Sequence, residues 1–181
     1  MRPFGRLIVV AVSALALTAC AATNVRSFVE RGLDVGQYRT YSWGPAGEQA
    51  TGDPRLDNNQ FFQERIAAAV DRQLQTRGLE KTTPQASDLL IHYHASVEQL
   101  VNPNGAEQRY MSCDDCEPYV YDAGTIVIDL VDARTQRLVW RGWAEGNIDG
   151  VVDDQARMEK QVDDAVGRIM ERLPRELGRA S

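Results

Sequence analysis

The chain lacks a hydrophobic run long enough to cross a membrane. Its longest apolar stretch, Leu7–Leu17, falls well short of the roughly 20 residues that a transmembrane helix requires. The chain also lacks a Gly-x-Ser-x-Gly nucleophile motif, a phosphate-binding loop, a dinucleotide fingerprint and a zinc-protease motif. We therefore expect a protein that is neither an enzyme nor the carrier of a cofactor.

Basic residues are few relative to acidic ones. The 20 Lys and Arg residues face 26 Asp and Glu residues, and the formal net charge is −6 at pH 7. An acidic surface disfavours both nucleic acid and docking on anionic lipid headgroups. Nucleic acid is therefore not an expected partner.

Cysteine is scarce as well, with three residues in the chain, and the position of the first is informative. Cys20 ends the sequence Leu-Thr-Ala-Cys, which follows the apolar run and the positively charged Arg2 and Arg6. This order is typical of a signal peptide, and the four residues match a bacterial lipobox. We therefore predict that residues 1–19 are a lipoprotein signal peptide, cleaved before Cys20, and that Cys20 carries the lipid.

A lipid on Cys20 makes the membrane the first expected partner. One acyl chain binds a bilayer only marginally, but bacterial lipoproteins usually carry two or three chains of the palmitate kind. The following residue is Ala21 rather than Asp, which by resemblance to enterobacterial lipoproteins indicates the outer membrane, with the domain facing the periplasm. The alternative is an ordinary secretory signal cut near Ala19 or Ala22.

The mature chain has a suitable length for one domain. Removal of the signal leaves 18 basic and 26 acidic residues, a net charge of −8. We assign 20–23 to the lipid anchor and a short tether, 24–175 to a single globular domain and 176–181 to a C-terminal tail. Since four residues extend to about 14 Å, the domain is expected close to the membrane.

Hydrophobic periodicity predicts two helices. The first covers 59–77, with an apolar residue every four positions, a cap at Asp57 or Asn58, and Gly78 ending it. The second follows a cap at Asp153 or Asp154 and ends at Pro174. Its buried stripe comprises Met158, Val162, Ala165, Val166, Ile169 and Leu173.

Alternation of apolar and polar residues predicts five strands, over 24–30, 38–43, 88–98, 125–131 and 138–145. The last two form a hairpin with a turn that Asp132 initiates, and 99–123 is expected to be a long polar loop. The order ββαβββα indicates an α+β fold. We predict a two-layer sandwich, in which two amphipathic helices pack on one face of a mostly antiparallel sheet.

Several of these segments resemble a known family. The chain is similar to the bacterial lipoproteins called domain of unknown function 4136, from about residue 24 to Pro174. The resemblance implies an envelope lipoprotein without an assigned activity, and it transfers no catalytic residues. It rests on the Tyr-Arg-Thr-Tyr-Ser-Trp sequence at 38–43, Leu-Gln-Thr-Arg-Gly-Leu at 74–79, Asp-Leu-Leu-Ile-His-Tyr at 88–93, and Gly-Thr-Ile-Val-Ile-Asp at 124–129 followed by Leu-Val-Trp-Arg-Gly at 138–142.

Two histidines and two cysteines are candidate ligands for a metal. His92 and His94 are two positions apart on one strand, so both point to the same face, and with Cys113 and Cys116 they complete a set of four zinc ligands. The interpretation we favour is plainer. In an oxidising periplasm the cysteine pair forms a disulfide, and the histidines lie on a partly solvated sheet face.

Three other kinds of site chemistry are also disfavoured. A redox role for Cys113 and Cys116 is disfavoured because acidic neighbours raise a thiol pKa. Calcium could use Asp122 and the acidic residues at 114, 115 and 117, although EF-hand spacing is missing. Paired-carboxylate catalysis by Asp129 and Asp132 is disfavoured, since Asp132 suits the turn and Asp129 a bond within the sheet.

Three tryptophans suggest a ligand groove. We expect Trp140 to lie in the core, on one strand face with Leu138, Gly142 and Ala144. Trp143 belongs to the opposite face with Arg141 and Glu145, where it can contact a partner or stack on Arg141. Trp43 is the third of the set.

Two functional classes follow from the sequence. The first is a non-enzymatic outer-membrane lipoprotein that binds or assembles with another envelope protein. The second is a periplasmic domain that binds a small ligand or metal through the 99–123 loop and the face carrying His92 and His94.

Overall fold

The computed structural model describes residues 23–32, 34–45, 51–57, 59–102 and 118–178. The helices of this part are α1 (Gln60–Thr76) and α2 (Gln155–Met170), with short 3-10 turns at Val35–Gln37 and Pro84–Ala86. None of the helices in these ranges is both long and apolar enough to span a bilayer. The strands are β1 (Asn24–Val29), β2 (Thr40–Trp43), β3 (Glu80–Lys81), β4 (Leu89–Asn102), β5 (Tyr119–Asp132) and β6 (Leu138–Asn147).

The described strands form one sheet in the order β1-β6-β5-β4-β2-β3. The four strands β1, β6, β5 and β4 are antiparallel, and β2 runs parallel to both β4 and β3. The predicted α+β architecture is confirmed. The sheet has one strand more than predicted. The additional strand is β3, which the sequence did not reveal because it is only two residues long and shows no alternation.

Both helices pack on the same side of this sheet. Alternate residues of β4, β5 and β6 point toward the helices, and some of them, such as Ile91, Leu130 and Trp140, are fully buried. They share one hydrophobic core with the apolar stripes of the two helices. The stripes supply this core because residues spaced by three and four lie on one side of a helix.

The two helices are also held together by charge. Arg65 of α1 pairs with Glu159 at 2.8 Å and with Asp163, both on α2. Arg72 pairs with the second oxygen of Asp163 at 2.9 Å. These partly exposed pairs fix the helices side by side above the core.

The central hairpin is longer than predicted. The expectation of a loop over 99–123 is wrong at both ends, since β4 continues to Asn102 and β5 begins at Tyr119, while 103–117 lie outside the described residues. Val101 lies directly opposite Val120, so β-forming residues pair across the extension. The polar residues between these segments made the strands hard to recognise in the sequence. We call this extension the hairpin arm (97–102 and 119–123).

The helix ends depart from the predictions in two places. The N-cap of α1 is Asn59, whose side chain accepts from the Phe62 amide at 3.0 Å. Asp57 instead accepts from the Thr51 amide, so the predicted cap at Asp57 or Asn58 is wrong. Asp154 caps α2 as predicted. That helix ends at Met170 and continues in turns to Pro174, with Leu173 still buried.

Asp132 organises the turn between β5 and β6, as predicted. Its Oδ1 accepts hydrogen bonds from the amides of Arg134 at 3.0 Å and Thr135 at 2.7 Å. Its Oδ2 accepts a bond of 2.9 Å from the hydroxyl of Tyr38, which is 3% exposed. One carboxylate therefore joins the turn to the segment that precedes β2.

This arrangement predicts a loss of stability in alkali. Burial, followed by the hydrogen bond to Asp132, raises the pKa of Tyr38 to about 12, and burial raises the pKa of Tyr41 to about 12. An unfolded tyrosine titrates near pH 10. The contribution of these hydroxyls is thus complete below about pH 10 and disappears as the pH rises toward 12. Urea unfolding measured from pH 9 to 12 should show this decline.

The variant Tyr38→Phe provides the control for the alkaline experiment. It removes one of the tyrosines whose pKa is raised, so the decline between pH 10 and 12 should be smaller than in the unaltered protein. A decline of the same size in this variant would show that other groups control the alkaline transition.

Candidate functional site

Each helix of the described structure packs on one side of the sheet, which leaves the opposite side without a helix. We call that side the outer face. Its residues alternate with the core residues along each strand, and the register places them in rows that cross β1, β6, β5 and β4. One row is Phe28, Arg141, Asp129 and His92, and the next is Arg26, Trp143, Val127 and His94.

An ion pair lies at the centre of the outer face. Arg141 donates from Nε to Asp129 Oδ1 and from Nη2 to Oδ2, each at 2.6 Å. Asp129 is only 5% exposed, although neither α1 nor α2 lies on its side of the sheet. The hydrogen bonds that Arg141 donates to Asp129 raise the pKa of Arg141. The two charges neutralise each other, and the two bonds fix the guanidinium of Arg141 beside Asp129.

Both histidines occupy the outer face, as predicted. His92 lies opposite Asp129 in the register, and His94 Nε2 is 4.0 Å from Asp129 Oδ2. Among the described residues, no group of three or more His, Cys, Asp and Glu side chains is arranged to hold a metal ion. Cys113 and Cys116 lie outside the described residues, so their disulfide and their part in a zinc site remain predictions.

A glycine at the end of β2 determines where His92 lies. The Gly44 amide donates to the Ile91 carbonyl at 2.9 Å, which brings the backbone beside β4. A Cβ at this glycine would be 2.2 Å from His92 Cε1 and 2.5 Å from Nε2. The imidazole therefore rests on the bare backbone of Gly44.

We expect Gly44→Ala to displace the His92 ring. The added methyl group overlaps the imidazole, which swings toward solvent at a cost below about 1 kcal/mol, since a partly exposed side chain can move. NMR of the imidazole protons should show shifted His92 signals and unchanged His94 signals. Equal shifts of both histidines would contradict this local effect.

The three tryptophans have different roles. Trp140 is fully buried, as predicted, and Trp143 lies on the outer face and is partly buried. Trp43 faces the helices instead, where its ring meets Tyr93 edge-on at 6.2 Å and its indole N–H donates to Asp71 at 3.0 Å. A groove shared by all three is therefore not formed.

Two other predictions about this region are corrected. Leu138 pairs with Val131, whereas Trp140 pairs with Leu130, so a bulge at Val139 moves Leu138 to the outer face. Asp122 belongs to β5 rather than to a loop, and its amide donates to Asp149 Oδ1 at 2.8 Å. The other calcium candidates, at 114, 115 and 117, lie outside the described residues.

The outer face also contains residues that the sequence analysis did not assign to a site. Phe28 is 45% exposed and lies opposite Arg141, while Arg26 lies opposite Trp143. Their alternation along β1 was visible in the sequence. Their neighbours were not, because pairing between the first and last strands depends on the sheet order.

Comparison with protein families identifies the chain. The model of the family described as domain of unknown function DUF4136 matches residues 25–175. The chain belongs to the DUF4136 family. This match covers the whole outer face and both helices of the DUF4136 domain. A comparison with curated proteins finds no match.

Solved structures resemble this DUF4136 domain in fold. A DUF4136 family protein from Bacteroides thetaiotaomicron has a TM-score of 0.54 at 11% identity, over 87% of this chain and 98% of its own. A PDZ domain protein from Parabacteroides distasonis has a TM-score of 0.54 at 18% identity, over 82% of this chain. The chain spans only 36% of that second protein. At these identities the likeness concerns the fold alone.

Proposed function

We propose that this protein is a lipid-anchored component of the cell envelope, held in the outer membrane by a lipid on Cys20. Its role is to bind a protein partner in the periplasm through the outer face, without catalysis. The observation that carries this proposal is the outer face itself. It presents aromatic and arginine side chains, the residue types enriched in protein interfaces, on the sheet side opposite to both helices of the described ranges.

The position of the anchor supports the same proposal. Asn24 begins β1, which is an edge strand of the described sheet, and Cys20 precedes it by four residues. Arg26 and Phe28 of this strand belong to the outer face. A lipid on Cys20 therefore places the binding surface near the membrane, where envelope assemblies form.

The chemistry of the outer face supports binding rather than catalysis. The Asp129 carboxylate, the most buried charge on this face, accepts two bonds from Arg141. A carboxylate held in this way is a poor general base, because removal of its partner is required before it can accept a proton. The pair is better suited to fixing Arg141 in position for a partner.

Binding of a metal or small ligand is the second candidate. It is favoured by the common orientation of His92 and His94 and by the 4.0 Å approach of His94 to Asp129. Zinc analysis of the purified protein separates the two candidates. One equivalent of zinc that is lost in the His94→Ala variant would favour the second candidate over the first.

Site-specific photo-crosslinking in intact cells tests the first candidate. A benzoylphenylalanine in place of Trp143 probes the outer face, and one in place of the exposed Gln63 on α1 probes the opposite layer. We expect a discrete crosslinked protein from position 143 and none from position 63. Equal crosslinking at the two positions, or none at 143, would contradict the proposal.

A further inference from the structure

An apolar cleft opens between the helices and one end of the sheet. It lies beside the N-terminal halves of α1 and α2 and has a volume of about 60 Å³, and none of the described residues that line it is charged. Water needs only about 10–15 Å³ of such space, yet apolar cavities stay dry and bind apolar ligands. Residues from both layers form its walls, among them Phe62, Ala95, Gly146, Met158, Val162 and Ala165.

Small side chains create this cleft. At this end of the sheet four of the residues facing the helices are small, Ala95, Gly124, Ala144 and Gly146, and they lie beside the larger Val97 and Ile126. At the other end the corresponding positions hold bulky residues such as Trp140, which fill the space between the layers. The sandwich is therefore closed at one end and left open at the end where β1 begins.

The chain enters the domain at the cleft. Thr23, the residue before β1, is part of the lining. Only two alanines separate Thr23 from Cys20. Three residues extend to about 10 Å, so a group attached to the Cys20 sulfur begins within reach of the cleft.

We propose that the cleft binds one acyl chain of the lipid on Cys20, an inference that rests on the lipid anchor of the proposed function. The lining matches this occupant, because an acyl chain brings no hydrogen-bonding group that the apolar walls would leave unsatisfied. Met158 lines the cleft, and a methionine adapts its shape to a flexible ligand. The end of the chain fills the cleft and its remainder lies along the open mouth, which fixes the orientation of the domain on the membrane.

The test uses a photoreactive fatty acid. Cells that express the full chain are fed a diazirine analogue of palmitate, which enters the lipid on Cys20, and their membranes are irradiated. Mass spectrometry of peptides then locates the acyl adducts. We expect intramolecular adducts on the α2 segment 158–165. Adducts found only on other lipids, with none on the chain, would overturn the proposal.

Cleft-filling variants make the test specific. Ala165→Leu projects into the cleft from α2 and should lower the adduct yield by at least about tenfold, because a filled cavity excludes the chain. Ala68→Leu adds the same atoms at an exposed position of α1 and should leave the yield unchanged. Equal yields from the two variants would overturn the proposal.

A second cleft-filling variant and two further measurements distinguish the possible outcomes. Gly146→Val fills the cleft from the sheet side, where a Cβ meets its neighbours at 3.6–3.9 Å. Thermal unfolding shows whether Ala165→Leu is folded. The intact mass of the mature protein shows whether Cys20 carries a lipid. A lipidated protein without adducts refutes the cleft proposal alone, whereas a mature protein without lipid refutes the anchor as well.

Discussion

Replacing Trp140 with alanine is expected to lower the free energy of unfolding by about 3–5 kcal/mol, the range for removing a large aromatic side chain from a core. The indole is fully buried and lies over Gly142, where a Cβ would be 2.3 Å from Trp140 Cη2. Ile169 of α2 contacts the same glycine position from above. Truncation therefore opens a cavity that the sheet and α2 cannot close without moving apart. Urea denaturation followed by circular dichroism measures the effect.

Two control variants show whether the loss of stability comes from core packing of the ring. Trp143→Ala removes the same side chain from the outer face and should cost within about 1 kcal/mol, as surface substitutions usually do. Trp140→Phe keeps most of the ring. Because Trp140 Nε1 has no hydrogen-bond partner among the described residues, this change should cost much less than alanine. Similar losses for Trp140→Ala and Trp143→Ala would contradict the assignment of the two faces.

The elements predicted well from the sequence are those in which the spacing of apolar residues matches the spacing of buried residues. The first helix was placed within one residue at each end, because Phe62, Ile66, Val70 and Leu74 are all buried. The hairpin arm was missed for the opposite reason. Val101 is 60% exposed and Val120 is 53% exposed, so neither contributes to an alternation of buried and exposed residues. Those strands are held by pairing with each other, which the sequence of one strand does not show.

The candidate site shows the same division. Alternation along β4 was enough to place His92 and His94 together on the outer face. To predict the bond between Asp129 and Arg141, one would need the register of the hairpin. A bulge at Val139 shifts that register by one residue. The contact of Gly44 with His92 required the parallel pairing of β2 with β4. Pairings of this kind depend on the whole sheet and leave no local pattern.

Replacing Cys20 with serine is expected to transfer nearly all of the protein from the membrane fraction to the soluble fraction. Two or three acyl chains, each contributing about 0.8 kcal/mol per buried CH₂, bind a bilayer almost irreversibly. The lipid is the only attachment we propose, since a mature net charge of −8 gives no attraction to anionic headgroups. Loss of the thiol therefore removes the whole of the attachment rather than a part of it.

Fractionation of cells and the intact mass of the mature chain measure this effect. Cys113→Ser provides the matched control, because it removes a cysteine outside the lipobox and should leave the protein in the membrane fraction. Membrane retention of Cys20→Ser would contradict the anchor. Wild-type protein found in the soluble fraction without a lipid would also contradict it, and would return the chain to the class of ordinary secreted proteins, cut near Ala19 or Ala22. The outer face would then have to find its partner by diffusion in the periplasm, without the high local concentration that a membrane tether provides.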